Sequence, residues 1–287
     1  MNSLTASLNK LRFLEMNFAP ARWFLARTFK PGRAYRIPFG PIAGQRLYYQ
    51  PAVNFHMMLG LWESRSYAFL RKVLARTGIP QGFTVADLGA NLGYFSLWMD
   101  KLAAQNAGRV YAFEPSPSIL PLLRQNLAAN QTRHTEIVEQ ACADQVGQIS
   151  FFVGDHHHVS SLDATWAGRQ NEISVAATTL DAFFEGRNYP DFIKVDIEGG
   201  GVFALKGMDA CLTRKRPLLW IESHTPNEDR AISDLMLKHG YQAYRLQTQS
   251  VVTDRAAIHP SPNGVWGTML CSPRNCRFSN NRAECAA

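Results

Sequence analysis

The stretch FTVADLGANLGYFSLWM (Phe83–Met99) constrains this chain more than any other. Val85, Ala86 and Leu88 form a short apolar run that reads as a strand buried on both faces. Gly89 and Gly93 punctuate a turn, and from Tyr94 to Gln105 the apolar spacing becomes helical. A buried strand that enters a helix through a glycine turn is half of a βαβ unit, so the chain has to build a parallel sheet covered by helices.

The alternation continues. Arg109–Glu114 reads as a second strand, Pro117–Asn130 as a helix, TEIVEQA as a third strand, and QISFFVG (Gln148–Gly154) as a fourth, edge-like one. After a polar loop, Asp155–Asn171, come the strands FIKVDIE and RPLLWIES (Arg216–Ser223). TPNE (Thr225–Glu228) is a capping box with proline at the first helical position, opening a helix that ends at His239–Gly240. YQAYRL and VWGTMLC close the sheet as a final hairpin. The expected architecture is α/β: a mostly parallel, doubly wound sheet with helices on both faces and a helical N-terminal extension. The expected division is a basic helical extension and linker over 1–44, the α/β domain over 45–271, and a disordered tail over 272–287. In the domain, QRLYYQ (Gln45–Gln50) reads as a short strand and Arg65–Thr77 as a helix stopped by Gly78 and Pro80.

In the extension, Leu4, Leu8, Leu11, Leu14 and Phe18 recur at helical spacing. The stripe suits a helix docked on the domain or an amphipathic anchor on an anionic membrane surface. The net charge of +7 is drawn partly from Lys10, Arg12, Arg22, Arg27, Lys30, Arg33 and Arg36. These lack the aromatic interleaving of a nucleic-acid groove, so no nucleic-acid partner is expected. No apolar run reaches membrane-spanning length. The five cysteines include no CxxC pair and no secretory leader is read, so a cytoplasmic protein is expected, with peripheral membrane contact through the extension as the variant. Its oligomeric state is not legible.

In sheets of this kind ligands bind beyond the carboxyl ends of the strands. Asp87, Gly89, Ala90, Asn91 and Gly93 lie at the first such end. The dinucleotide pattern G-x-G-x-x-G is absent, because Asn91 and Tyr94 occupy the positions of its second and third glycines. The turn therefore suits a nucleoside-like, partly cationic ligand without a phosphate. Glu114 ends the second strand, where a carboxylate accepts hydrogen bonds from ribose hydroxyls. Asp144 either contacts a base edge or caps a turn. At the next end, KVDIEGGGVFALKG (Lys194–Gly207) places Asp196 and Glu198 before three consecutive glycines.

Taken in order, VADLGANLGYFSL, GRVYAFEPSP, SSL, TTLDAFF, IKVDIEGGGVFALKG and WIESH resemble the FkbM family of S-adenosylmethionine-dependent methyltransferases. The resemblance spans roughly Val85 to Leu270. It implies a class I methyltransferase (Rossmann-like) sheet of seven strands in the order 3-2-1-4-5-7-6, with S-adenosyl-L-methionine as cofactor. It also implies that Asp87, Gly89, Asn91 and Gly93 line the methionine end of the cofactor, that Glu114 holds the ribose, and that a methyl group moves to a hydroxyl of a sugar, glycan precursor or secondary metabolite. The family pattern Asp-x-Glu-Gly-x-Glu is broken here, since Gly201 stands where a second glutamate is expected.

An alcohol is a weak nucleophile and loses its proton as it is methylated, so a base within reach is needed. The candidates are His224, Asp196 and Glu198, with Glu222 as a residue that orients His224 or a backbone amide, or that contacts substrate. A metal held by Asp196, Glu198 and His224 is conceivable, but the spacing does not demand one and none is expected. Ser160 and Ser161 match the SSL motif and are read as substrate contacts, and Trp166 stacks on a sugar ring or anchors its loop. The adjacent histidines of DHHHVSS read as a solvated loop. Two other readings stand beside this one: a cofactor-fold scaffold that has lost catalysis, suggested by Gly201, and a nucleotide-dependent oxidoreductase or epimerase.

Overall fold

The computed structural model describes residues 27–54, 57–153, 162, 171–246, 249–252, 267–273, 276–279 and 282–285. Its centre is an eight-stranded sheet. In chain order its strands are β3 (Thr84–Leu88), β4 (Arg109–Phe113), β5 (Thr135–Val138), β9 (Phe192–Val195), β10 (Leu218–Ser223), β11 (Tyr241–Arg245), β12 (Ser250–Val252) and β13 (Gly267–Pro273). They lie side by side as β12-β11-β13-β10-β9-β3-β4-β5. Read from the β5 edge this is 3-2-1-4-5-7-6, with β12 added as an eighth strand beyond the seven expected. The five strands from β5 to β10 are parallel, and β13 joins them antiparallel to both β10 and β11. YQAYRL and VWGTMLC therefore pair as expected, without being consecutive.

Side-chain alternation along the central strands feeds two cores. On one face Val85, Val110, Phe192 and Trp220 pack with α1 (Ser64–Thr77), α2 (Tyr94–Asn106) and α3 (Leu120–Ala129). On the other, Ala86, Leu88, Ile193, Val195 and Ile221 meet α4 (Leu180–Phe184), α5 (Gly201–Lys206), α6 (Asp209–Arg214) and α7 (Pro226–His239). A sheet buried on both faces explains the near-continuous apolar runs of its strands.

Three expectations change. QISFFVG forms β7 (Gly147–Phe152), but in a separate three-stranded sheet, β6-β8-β7, with β6 (Ala141–Cys142) and β8 (Glu172–Thr178). β8 was not read from the sequence. The boundary drawn at residue 44 falls inside a hairpin, because β1 (Ala34–Arg36) pairs with β2 (Arg46–Tyr48), and Ile37, Ile42 and Leu47 enter the first core. That hairpin is tied to the domain through α3: Asn126 accepts from the Tyr48 N–H at 2.8 Å while donating to the Leu92 carbonyl at 2.8 Å. In the tail, expected to lack order, β14 (Cys276–Ser279) pairs antiparallel with β15 (Arg282–Cys285). The N-terminal stripe, Leu4–Phe18, lies outside the described residues.

Candidate active site

Parallel register brings the acidic strand ends to one level. Leu88 pairs with Val195, and Val195 pairs with Ile221. The residues that follow these strands therefore emerge side by side: Gly89, Asp196, and Glu222 with His224. Phe113 pairs with Leu88, which sets Glu114 beside the glycine turn. The turn is stitched to that neighbour, since the N–H groups of Gly89 and Ala90 both donate to the Phe113 carbonyl, at 3.1 and 2.9 Å. Gly89 has φ +77°, and a Cβ there would lie 2.0 Å from the Asp196 carbonyl oxygen. Only glycine allows the two strand ends to approach this closely.

A cavity of about 670 Å³, open to solvent, lies above these ends. Gly89, Asn91 and Glu114 form one wall, Asp196 and Glu198 another, and Ile119, Cys142 and Phe151 supply apolar surface. Glu114 is buried, with Oε2 accepting from the Asn91 N–H at 2.8 Å and Oε1 from the Ser116 N–H at 2.9 Å. Burial nevertheless pushes this carboxyl up to about 7, against the pull of those two donors. Sequence reasoning missed Ser116, Gln140 and Cys142, which also line the cavity. Gln140 and Cys142 lie where the β5–β6 segment changes sheets, and Ser116 lies in the turn after β4.

The other expected cofactor residues separate. Asn91 lines the cavity in a left-handed conformation, φ +51°, with its side-chain oxygen accepting from the Leu92 N–H at 2.8 Å. Asp87 does not reach the cavity wall. It is fully buried, accepts from Ser96 Oγ at 2.6 Å, and sits 3.2 Å from Lys194 Nζ, its cross-strand partner. Lys194 Nζ also lies 3.2 Å from Asp196 and donates to the Gly89 carbonyl at 3.1 Å. Asp87 thus supports the turn from beneath through a buried ion pair. Gly93 and Ala90 likewise shape the turn from outside the wall, and Asp144 is exposed away from it.

Asp196, Glu198 and His224 converge as expected. His224 Nε2 lies 3.7 Å from Asp196 Oδ1, 3.6 Å from Glu198 Oε2 and 4.0 Å from Glu222 Oε1. The ligand-capable atoms of Asp196, Glu198 and His224 all fall within 4.8 Å of one another, a separation that also suits one small cation. Burial raises the Asp196 carboxyl, but Lys194 and His224 outweigh it and hold the group below its ordinary range. Burial, followed by the charge of Asp196, pushes Glu222 up to about 9. Adjacent carboxyls are thereby set to opposite states at neutral pH. Ser160, Ser161, Trp166 and the three histidines lie outside the described residues.

The carboxylate expected at position 201 arrives from elsewhere. Glu228, at the third position of α7, points back so that its Oε1 accepts from the Gly201 N–H at 2.9 Å. A Cβ at Gly201 would sit 2.6 Å from that same oxygen.

The sequence model of the methyltransferase FkbM domain matches residues 87–243, more than half of the chain. The chain belongs to the FkbM methyltransferase family. The matched span runs from Asp87 to Ala243 and so holds Glu114, Asp196, Glu198 and His224. Among solved structures, the FkbM methyltransferase of Methylobacillus flagellatus KT is similar at 16% identity and a TM-score of 0.46, over 88% of this chain and 58% of that one. Aeropyrum pernix fibrillarin, solved with natively bound S-adenosyl-L-methionine, is similar at 11% identity and a TM-score of 0.38, over 71% of this chain and 73% of that one. Among curated proteins, AMB antimetabolite synthetase AmbE of Pseudomonas aeruginosa is 25% identical over 223 residues, covering 61% of this chain and 10% of that protein. The chain spans about a tenth of that relative's length. No helix among the described residues is long and apolar enough to cross a membrane.

Proposed function

We propose that this FkbM-family protein transfers the methyl group of S-adenosyl-L-methionine to a hydroxyl of a sugar, glycan precursor or secondary metabolite. The observation that carries the reading is the position of His224 Nε2 beside Asp196 and Glu198, which line the same cavity as Gly89, Asn91 and Glu114. The residues fit the cofactor's chemistry. A carboxylate stands ready for ribose hydroxyls, apolar side chains offer a surface for a base, and ionised Asp196 suits a sulfonium. The cofactor supplies an electrophilic methyl group when bound. The chain's own work is to orient the acceptor oxygen and take its proton at His224 Nε2, with Asp196 and Glu198 favouring the cationic ring that results. The reading places the protein in the cytoplasm with no nucleic-acid partner, the basic extension either docking on the domain or contacting an anionic membrane surface.

Calorimetric titration with S-adenosylhomocysteine and with NAD, followed by transfer of labelled methyl from S-adenosylmethionine to a panel of hydroxyl acceptors, tests this. Binding of NAD alone sinks it. Homocysteine-nucleoside binding with no turnover on any acceptor favours the scaffold reading. The intact Glu228 carboxylate beside Gly201 argues for a working site.

Glu114 gives the cofactor reading its own pH signature. Its carboxyl ionises near 7 in the fold against an ordinary 4.5, so the folded chain holds the proton over that interval. Fold stability therefore falls as pH rises from 4.5 to 7. Ligand binding that needs the carboxylate shows the opposite slope. Affinity for S-adenosylhomocysteine is expected to be flat above about pH 7 and to weaken by up to about tenfold per unit below it. Glu114→Gln should weaken binding and flatten the dependence. A wild-type profile that is level from pH 5.5 to 8 would remove Glu114 from the ribose role.

A further inference from the structure

We infer that Cys276 and Cys285 are a covalent modification site, a thiol pair that closes reversibly to a disulfide and staples β14 to β15. The inference is independent of the methyl-transfer reading. Its first observation is register. The two strands pair antiparallel as Ser279↔Arg282, Phe278↔Ala283, Arg277↔Glu284 and Cys276↔Cys285, so the two cysteines occupy directly opposed positions at the open end of the hairpin. In the sequence two asparagines, Asn280 and Asn281, separate the closing pair, and asparagine is a residue type that tolerates the left-handed backbone of two-residue hairpin turns.

The second observation is the phase of that register. A two-residue hairpin closes on a pair that exchanges both backbone hydrogen bonds, here Ser279 and Arg282, and bonded and non-bonded pairs alternate outward from it. Arg277↔Glu284 is then a bonded pair, whereas Phe278↔Ala283 and Cys276↔Cys285 are non-bonded ones. Non-bonded pairs are the closer kind, with Cα atoms about 4.5 Å apart. A disulfide spans roughly 4.4–6.8 Å between Cα atoms. Moving either cysteine by one position would put the two thiols on opposite faces of the hairpin.

The third observation sorts the five cysteines. Cys142, Cys211 and Cys271 are free thiols buried in the second core. Burial pushes the Cys142 thiol up, and pushes Cys271 up to about 12. Thiols held in that state react poorly. The odd total of five resolves into three core thiols and one cross-strand pair.

The step is a thiol–disulfide exchange, with a low-molecular-weight disulfide such as oxidised glutathione as the oxidant. One cysteine thiolate attacks a sulfur of that disulfide, forms a mixed disulfide and expels the first small thiolate. The second cysteine, as thiolate, attacks the protein sulfur of the mixed disulfide and expels the other. The pair loses two electrons to the small disulfide, and the two protons of the cysteine thiols end on the two small thiols. A reducing compartment returns the pair to thiols by the same steps in reverse. Because β15 runs beside α1, closure fixes a hairpin that lies against the domain.

The test uses the full chain, reduced, exchanged against oxidised glutathione, alkylated and digested with trypsin. The expected product is about 2 Da lighter than the reduced chain. It should yield peptide 275–277 joined to peptide 283–287, with Cys142, Cys211 and Cys271 not consumed, and excess dithiothreitol should restore both thiols. Closure should slow amide exchange in β14 and β15 about tenfold or more, and the same oxidant should leave exchange unchanged in Cys276→Ser. Register is tested separately. Glu284→Cys combined with Cys285→Ala moves one thiol to the adjacent position, and its ring should close at least about tenfold more slowly. A segment with no fixed register would close either ring at the same rate, so equal rates overturn the inference. Stable glutathione adducts in place of the linked peptide, links to the core thiols or between chains, and unchanged amide exchange on closure each overturn it as well.

Discussion

Replacing His224 with alanine is expected to lower methyl transfer about 10²–10⁴-fold, the usual contribution of a positioned base, while S-adenosylhomocysteine affinity stays within about threefold. The choice among neighbouring groups follows from their ionisation. An efficient base has a pKa near the working pH. Asp196 is held below its ordinary range, because Lys194 and His224 outweigh its burial, so it is charged but a poor acceptor of protons. Glu222 is pushed the other way, to about 9, and at neutral pH it carries a proton already. An acid in that state donates a hydrogen bond and cannot be the base. Gly89, Asn91 and Glu114, the residues proposed to hold the nucleoside, line the cavity without the His224 side chain, which is why binding is expected to survive. Asp196→Asn should cost turnover as well, by removing charge that favours the protonated ring. Single-turnover rates with saturating cofactor are the measurement. Turnover of His224→Ala within a factor of three of wild type would return the role of base to the carboxylates.

Much of this arrangement is legible in the sequence. Strands buried on both faces leave apolar runs, and glycine turns leave glycines, so β3, β4, β9 and β10 and the helices between them fall where the pattern puts them. Convergence of Asp196, Glu198 and His224 follows from knowing that parallel strand ends share a level. What the pattern could not show had physical causes. Asp87 reads as a ligand residue because it is an acid at a strand end, but the cross-strand partner that claims it, Lys194, lies 107 positions further on (194 minus 87). The separate sheet of β6, β7 and β8 is invisible because alternation identifies a strand and says nothing about which sheet it joins. The TPNE capping box was readable, whereas the third donor to Glu228, the Gly201 N–H, comes from another helix. Gly201 therefore looked like a loss, when the space it leaves is filled by a carboxylate from α7.

Lys194→Met is expected to be the most damaging single change to the fold, destabilising it by about 3–5 kcal/mol. The ammonium is almost fully buried, 3.2 Å from both Asp87 and Asp196, and lies 5.8 Å from the centre of the Phe95 ring. Methionine fills much of the same volume, so packing is not the main loss. The cost arises because the Asp87 carboxylate, with no exposed side-chain surface, loses its buried counterion. The pH dependence separates this cause from packing. Although burial opposes it, the two carboxylates raise Lys194 well above its ordinary 10.5, so its contribution is fully present below that value and is lost only as pH climbs through the folded value. Asp196 is depressed below its ordinary 3.8, so its contribution is present above 3.8 and is lost as pH falls through the folded value. The difference between wild type and variant should therefore form a plateau from about pH 4 to pH 10 and shrink on either side. A packing defect would be nearly independent of pH. Lys194→Met combined with Asp87→Asn should recover part of the loss, because a neutral amide no longer needs the ammonium. Urea denaturation across the pH range measures all of this. A loss below about 1 kcal/mol at pH 7, or no recovery in the double variant, would mean that the turn is held by its backbone hydrogen bonds to Phe113 and not by the buried charges beneath it.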